Sequence, residues 1–442
     1  MFNPFGGKNI RDLAGEDLAV LRSVSEGWFI EYKSKLIDAR SIGKSLSAFA
    51  NHEGGWLFLG IATKDNQASD FKGIPYSEME LAERRLREGA AQHCSPSPYY
   101  EKKFIHGPFQ DLGLAENHVV VVVCIPRSQD TPHVHSSGRI YRRIDSASEP
   151  EPETNRNVLD VLWSRRKAAA KRLRRFCLWR PETSRGEAEA TYLHFSLMAD
   201  PFGDHELSST MGLERFREIM HEHPSGGLSF DDVYPCQDGA VARHISINDP
   251  FGQLFTFRYY WNGNARITVP VNSFQISDNL QIPAEYSHVA RSFAAMIHSR
   301  GYIYAVVIDL SRLLTLVGSI VQRYRFLLSE DRFETPRIFS KLVFQRVWRR
   351  VPFLDSTKFV DYMTTHGIPL VEVDELVLPE DGVIVLARAA DHSSGPLDVD
   401  AMTDLFLPIA EAFGIPRALF AGEESPSLIQ ELVEKMVKVR PH

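Results

Sequence analysis

The stretch Ser41 to Ala62, SIGKSLSAFANHEGGWLFLGIA, constrains the fold of this chain more than any other. Ile42, Leu46, Phe49 and Ala50 recur at i, i+4, i+7 and i+8, so one face of a helix is apolar while Lys44 looks outward. Gly54-Gly55 can take the positive φ that ends a helix, and Trp56 to Ile61 has the composition of a buried strand. The predicted unit is a helix, a tight reversal and a core strand.

The neighbouring segments extend this pattern. Gly27 to Lys35 alternates Trp28, Ile30 and Tyr32 with Phe29, Glu31 and Lys33, the period of a half-buried strand with charge on one face. Ser77 to His93 carries Met79, Leu81, Ala82, Leu86 and Ala90 among charges, a second amphipathic helix stopped by Ser95-Pro96-Ser97-Pro98. Tyr99 to Ile105 and His118 to Ile125 read as strands, and the five consecutive valines fit a central position covered on both faces. Arg139 to Ile144 reads as a last short strand after the turn His135 to Gly138, and Glu149 to Glu153 as an extended connector. Residues 1–20 are polar with little periodicity and read as a short helix or arm.

At 442 residues the chain exceeds one ordinary core. The fold class expected is α+β, with residues 1–165 as one domain, 166–185 as a basic linker or helix, and 186–442 as a separate mixed α/β domain. In that last part strands are expected at Tyr192 to Met198, Leu254 to Tyr260, Arg266 to Val271, Tyr302 to Ile308 and Gly382 to Ala387. Helices are expected at Ala284 to His298, Arg312 to Leu328 and Ser427 to Val439, the last capped by Ser425 and Pro426. The longest apolar run, Val119 to Ile125, is seven residues, far short of a membrane span. The first residues lack a basic start followed by an apolar core, so no secretory signal is expected, and Cys94, Cys124, Cys177 and Cys236 lie too far apart for a disulfide framework. A cytoplasmic location is expected.

The net charge of −7 hides a division. Residues 1–180 hold 27 Lys and Arg against 22 Asp and Glu, whereas residues 181–442 hold 23 against 35. Val161 to Pro181 alone has eight Lys or Arg and no acid; as a helix it keeps only Leu162, Ala169, Leu173 and Phe176 as an apolar seam. Such asymmetry points to a polyanionic partner for the first part. No phosphate-binding glycine loop, zinc-protease or serine-hydrolase motif occurs, so nucleotide hydrolysis and serine chemistry lack a sequence basis.

Five pieces in order, Glu31-Tyr32-Lys33, Ala48 to Gly55, Leu57 to Ile61, Val119 to Ser128 and Gly138 to Arg142, make the first 165 residues resemble the Schlafen-type AlbA domain family of bacteria. The resemblance implies a compact α+β module that binds nucleic acid. In the eukaryotic Schlafen branch it also implies a metal-dependent endoribonuclease with two glutamates five apart and a later aspartate. Glu26 and Glu31 match the first two, and the catalytic and metal-ligand set so implied is Glu26, Glu31 and Asp65, holding Mg²⁺ or Mn²⁺ through oxygen ligands. Strand parity sets Glu26 and Glu31 on opposite faces unless the chain bends at Gly27. The family's aspartate position holds Ala62-Thr63, and Asp65 is the nearest substitute.

For nucleic-acid contacts the residues favoured are Lys33, Lys35, Lys44, Arg139, Arg142 and Arg143, with Tyr141 as a stacking ring and the run Arg165 to Arg180 as an extension. His93, Cys94, Cys124, His133 and His135 are too irregularly spaced to predict zinc. The leading reading is a nucleic-acid-binding protein whose second half senses, binds a protein partner or oligomerises. The alternatives are a metal-dependent nuclease of defence or stress, and a protein-interaction scaffold.

Overall fold

The computed structural model describes residues 2–144, 149–181, 190–199, 211–222, 228, 230–245, 252, 254–271, 273–276, 288–330, 337–387, 399–420 and 428–432. It divides into two compact units, the first reaching to Arg174 and the second beginning at Arg175. Helices and several sheets occur together, so the class is α+β.

In the first unit β1 (Ile30–Lys33), α1 (Ala39–Asn51) and β2 (Gly55–Leu59) form a parallel βαβ crossover, with Glu31 beside Leu57 and Lys33 beside Leu59. Asp38 caps α1 by accepting the Ser41 N–H at 2.9 Å, which holds its carboxyl below the usual range and satisfies a donor the helix cannot. Gly54, at φ +79°, makes the reversal into β2. The polar loop that follows is a hairpin of β3 (Ala62–Lys64) and β4 (Gln67–Asp70). Then come β5 (Ile74–Pro75), α2 (Met79–His93), β6 (Cys94–Ser95), β7 (Glu101–His106), β8 (His118–Ile125), β9 (Val134–His135), β10 (Tyr141–Arg142) and β11 (Glu151–Pro152). Of the strand expected over 139–144 only β10 forms, paired with β11 in the expected connector. The unit closes with α3 (Arg156–Cys177), which continues three residues into the second unit.

β8 is the centre of the main sheet, paired with β2 (itself paired with β1), β5 and β7. Its valines alternate between two cores, as strand geometry requires. Val120 and Val122 join Trp56, Phe58, Ile30 and Tyr32 against Ile10, Leu13, Leu18 and Leu21, so the N-terminal segment, expected as a short helix or arm, forms short 3₁₀ helices at Ile10–Asp12 and Glu16–Ser23 that are part of the core. Val119, Val121 and Val123 join Leu57 and Leu59 against Ile42, Leu46 and Phe49 of α1 and Leu86 of α2. At about 1.5–3 kcal/mol per fully buried aliphatic side chain, this two-sided burial anchors the unit. The helices α1 and α2 approach so closely that a Cβ on Gly43 would lie 2.7 Å from the Gly89 carbonyl oxygen.

The second unit has its own core. Its elements are β12 (Tyr192–Ala199), α4 (Leu213–Glu222), β13 (Asp232–Cys236), β14 (Gly239–Arg243), β15 (Thr256–Tyr260), β16 (Ala265–Pro270), β17 (Ser273–Ile276), α5 (His288–Ser299), β18 (Ala305–Asp309), α6 (Leu310–Glu330), β19 (Arg337–Gln345), β20 (Val351–Phe353), α7 (Thr357–His366), β21 (Glu375–Leu378), β22 (Ile384–Ala387) and α8 (Val399–Ala412). An antiparallel sheet runs β13-β14-β15-β16-β12-β19-β21, with β22 also on β19. A smaller sheet runs β17-β18-β20. All five expected strands form here, and α5 and α6 lie where helices were expected. Residues 284–287 and most of 427–439, with the proposed cap at Ser425 and Pro426, lie outside the described residues. Elements not anticipated include α7, α8 and β19, the strand that joins β12 to the rest of the sheet edge. Among the described residues no helix is long and apolar enough to cross a membrane.

Candidate nucleic-acid interface

Glu31 lies on the face of β1 that α1 covers, and it is 1% exposed. The charged strand face expected at the surface is therefore an interior position. Its Oε1 accepts a hydrogen bond from Ser45 Oγ of α1 at 3.0 Å and pairs with Lys33 Nζ at 3.0 Å. Its Oε2 pairs with Arg143 Nη1 at 3.4 Å. The Arg143 side chain is wholly enclosed: Nε and Nη2 donate to the Gly27 carbonyl at 3.0 and 2.6 Å, Nη2 also reaches the Ile30 carbonyl, and the guanidinium stands 5.3 Å from the centre of the Phe49 ring. A buried carboxylate needs a compensating charge and full hydrogen bonding. Here Lys33 and Arg143 supply the charge, and with Ser45 they supply the hydrogen bonds.

The chain does bend between Ser25 and Ile30. Ser25 bridges to Gln67, the Glu26 N–H donates to the Asn66 carbonyl at 2.7 Å, and the Glu26 carboxyl turns back to accept the Tyr32 N–H at 3.3 Å. Burial raises the Glu26 pKa, opposed by Lys33 and the Tyr32 N–H, and the nearby Glu31 carboxylate adds to the rise. Asp65 is placed differently. With Asn66 it occupies the two-residue turn between Lys64 and Gln67, both at positive φ, and it is exposed at the hairpin tip. That is turn chemistry, which Asp and Asn tolerate. Among the described residues no group of three or more His, Cys, Asp or Glu is placed to hold a metal ion. Glu26 and Glu31 come together, but Asp65 does not complete a ligand set with them.

Cys94, His133 and His135 each have a structural contact. Cys94 donates to the Gly43 and Gly89 carbonyls and burial pushes its thiol up to about 12. His133 Nδ1 lies 2.7 Å from the Pro96 carbonyl oxygen, and His135 stacks on His93.

The expected binding residues separate into three groups. Arg143 and Tyr141 are buried and offer no surface to a ligand: the Tyr141 ring packs edge-on against His135, its hydroxyl lies 3.3 Å from Ser137 Oγ, and Lys44 covers its face. Lys33, Lys44 and Arg142 are half-buried and committed to Glu31, Glu149 and Glu153, at 3.0, 3.2 and 2.7 Å. The Lys44 ammonium holds Glu149 below the usual carboxylate range. Lys35 and Arg139 are exposed, and among the described residues neither has an acidic partner.

Two residues that sequence reasoning passed over organise this region. Asn51, the last residue of α1, accepts the His133 N–H at 2.7 Å and donates to the His133 and Tyr141 carbonyls at 2.9 and 3.1 Å. Its place in the Ala48 to Gly55 segment was the available signal. His52 is buried beside a cavity of about 260 Å³ that Glu53, Arg142 and Arg165 also line. Burial first, then Arg142, Arg165, Arg143 and Arg127, lowers its pKa to about 4.

Among the described residues α3 carries the largest set of exposed cations. Of the expected seam Leu162 and Ala169 are buried and Leu173 and Phe176 half-buried, while Lys167, Lys171 and Arg174 are exposed. Arg165 and Arg166 reach Glu53 and Asp130 at 3.8 and 3.0 Å, and Arg172 donates to Gln129.

The family model described as Schlafen, AlbA_2 matches residues 26–152. No curated protein matches the chain. Among solved structures, the crystal structure of the DIP2311 protein from Corynebacterium diphtheriae is similar at 15% identity and a TM-score of 0.21. That match covers 32% of this chain and 24% of that one, so the chain spans about a quarter of the length of that protein, and the likeness is too weak to carry over a fold. The βαβ crossover, the valine strand and the buried Glu31 all lie within the matched residues, and this chain carries a Schlafen AlbA_2 domain at residues 26–152.

Proposed function

We propose that the protein binds nucleic acid through its first unit without cutting it, and that the second unit serves as a sensor or interaction domain. The observation carrying the choice of binding over cleavage is the enclosure of Glu31 by Arg143, Lys33 and Ser45. A hydrolytic metal site needs converging carboxylate oxygens with room for water and phosphate. Glu31 instead has both oxygens engaged by groups of the protein, and Asp65 serves a turn. Binding needs only exposed cations, and Lys35, Arg139 and the outer face of α3 retain them.

Purified protein is incubated with transfer RNA and with duplex DNA, with and without Mn²⁺, beside a Glu31→Ala variant. The expected result is retarded, intact polymer whose affinity falls steeply with salt. Metal-dependent cleavage that Glu31→Ala abolishes would establish the nuclease instead. No retention of either polymer at low salt would leave a protein-interaction scaffold.

A further inference from the structure

Trp163 is 47% exposed, and among the described residues its ring has no aromatic or cation partner. Its place on α3 gives that exposure a direction. At 100° per residue, Trp163, Lys167, Lys171 and Arg174 fall within a sector of about 80°, opposite the seam of Leu162 and Ala169. The face begins at Arg156 and Asp160, an exposed pair at 3.8 Å, and carries no acid from Val161 onward. Among the described residues Lys167, Lys171 and Arg174 have no acidic partner, and Lys167 and Lys171 stand one turn apart as a repelling pair. Such a face is neutralised only from outside the helix.

We infer that this face of α3 is a binding site for single-stranded nucleic acid, in which Trp163 stacks on a base and Lys167, Lys171 and Arg174 hold successive phosphates. The inference rests on the nucleic-acid-binding reading above and narrows it to one polymer form and one set of residues, which lie outside the matched family domain. Trp163, Lys167 and Lys171 are spaced by about 6 Å along the helix axis, comparable to one extended nucleotide. A free indole ring next to lysines matches the recurrent single-strand arrangement of a stacking platform beside a cationic track. Duplex bases are already stacked on one another and cannot use the ring.

The test measures anisotropy of labelled oligothymidylate, oligouridylate and a duplex of equal length with the full chain across a salt series. Trp163→Ala is expected to weaken both single strands by on the order of tenfold and leave the duplex unchanged, with the salt slope intact. Lys167→Gln with Lys171→Gln is expected to lower the slope for single strands by about 1.4. Far-UV circular dichroism checks that the helix survives, and since these side chains point to solvent it is expected to be unaltered. If only the lysine variant weakens binding, the stacking platform is overturned and the basic-surface reading stands. If neither variant matters while Lys35→Gln with Arg139→Gln does, the site lies elsewhere. If the parent chain binds no polymer at low salt, both readings fall. Lys167 and Lys171 resisting acetylation in the free protein would show that the face is covered by protein, which also overturns the inference.

Discussion

Arg143 and Lys167 carry the same charge on the same compact unit, yet one is sealed beneath α1 against Glu31 and two carbonyls while the other is exposed with, among the described residues, no acid beside it. Arg143 follows a strand that folds back over the βαβ crossover, where desolvation makes any unpaired charge costly. Lys167 projects from the side of a helix that, among the described residues, buries its opposite edge at Leu162 and Ala169. A cation's role is therefore set by what lies across from it. Counting Lys and Arg along the chain pointed toward a polyanion partner but could not separate cations committed to the fold, such as Arg143, from exposed ones such as Lys167.

The sharpest way to break this comparison is Arg143→Ala, which leaves Glu31 buried with only Lys33 and Ser45. The expected loss is about 3–5 kcal/mol, toward the lower end because those two partners remain. It is read from hydrogen exchange of the β2 and β8 amides, since a chain of two units need not unfold in one step. Arg143→Met with Glu31→Gln should recover most of the loss, because the charge and its counter-charge leave together. Undiminished protection in the single variant would show that Arg143 is no more structural than Lys167.

His52 sharpens the contrast from the other side, as a base kept neutral among cations. Its folded pKa of about 4 lies below the ordinary 6.5, so between those values the unfolded chain binds more protons. The stability it contributes is complete above pH 6.5 and is lost as pH falls toward 4, by roughly 3 kcal/mol at 1.36 kcal/mol per unit. Exchange protection of β2 should fall over that interval, and His52→Leu, of similar volume, should flatten the fall. An equal slope in the variant would place the titration elsewhere.

The smallest effect is expected from Lys167→Gln with Lys171→Gln, where core protection should change by no more than about 0.5 kcal/mol. The sign should be a slight gain, because a repelling pair one turn apart is removed. A loss above about 1 kcal/mol would mean that these side chains pack inside the protein, and the distinction between the two cation sets would dissolve.

Much of the architecture was legible in local pattern. The period of Ile42 to Ala50 specifies a helix with one covered face, Gly54 its stop, and the valines of β8 a strand covered on both faces. The seam of α3 was equally readable from Leu162 and Ala169. What escaped was the pairing of residues far apart in sequence. Glu31 and Arg143 are separated by 112 positions, and period-2 alternation reports that Glu31 and Lys33 share a face without reporting what lies above it. Asp65 was weighed as a ligand because it is acidic and nearby, whereas the hairpin places it by backbone conformation. In the second unit β12 pairs with β16 and β19, strands that lie some 70 and 140 positions further along, so no local signal reveals their order.

The amide of Asn51 has a consequence for how this surface can vary. It uses one acceptor and two donor contacts to hold the backbone at His133 and Tyr141, and the second tether is two residues before Arg143. An aspartate of identical shape has no N–H to give either carbonyl. Position 51 thus works as a latch whose geometry only an amide can close, and an aspartate there would set a carboxylate against two carbonyl oxygens, one of them two residues before the buried guanidinium.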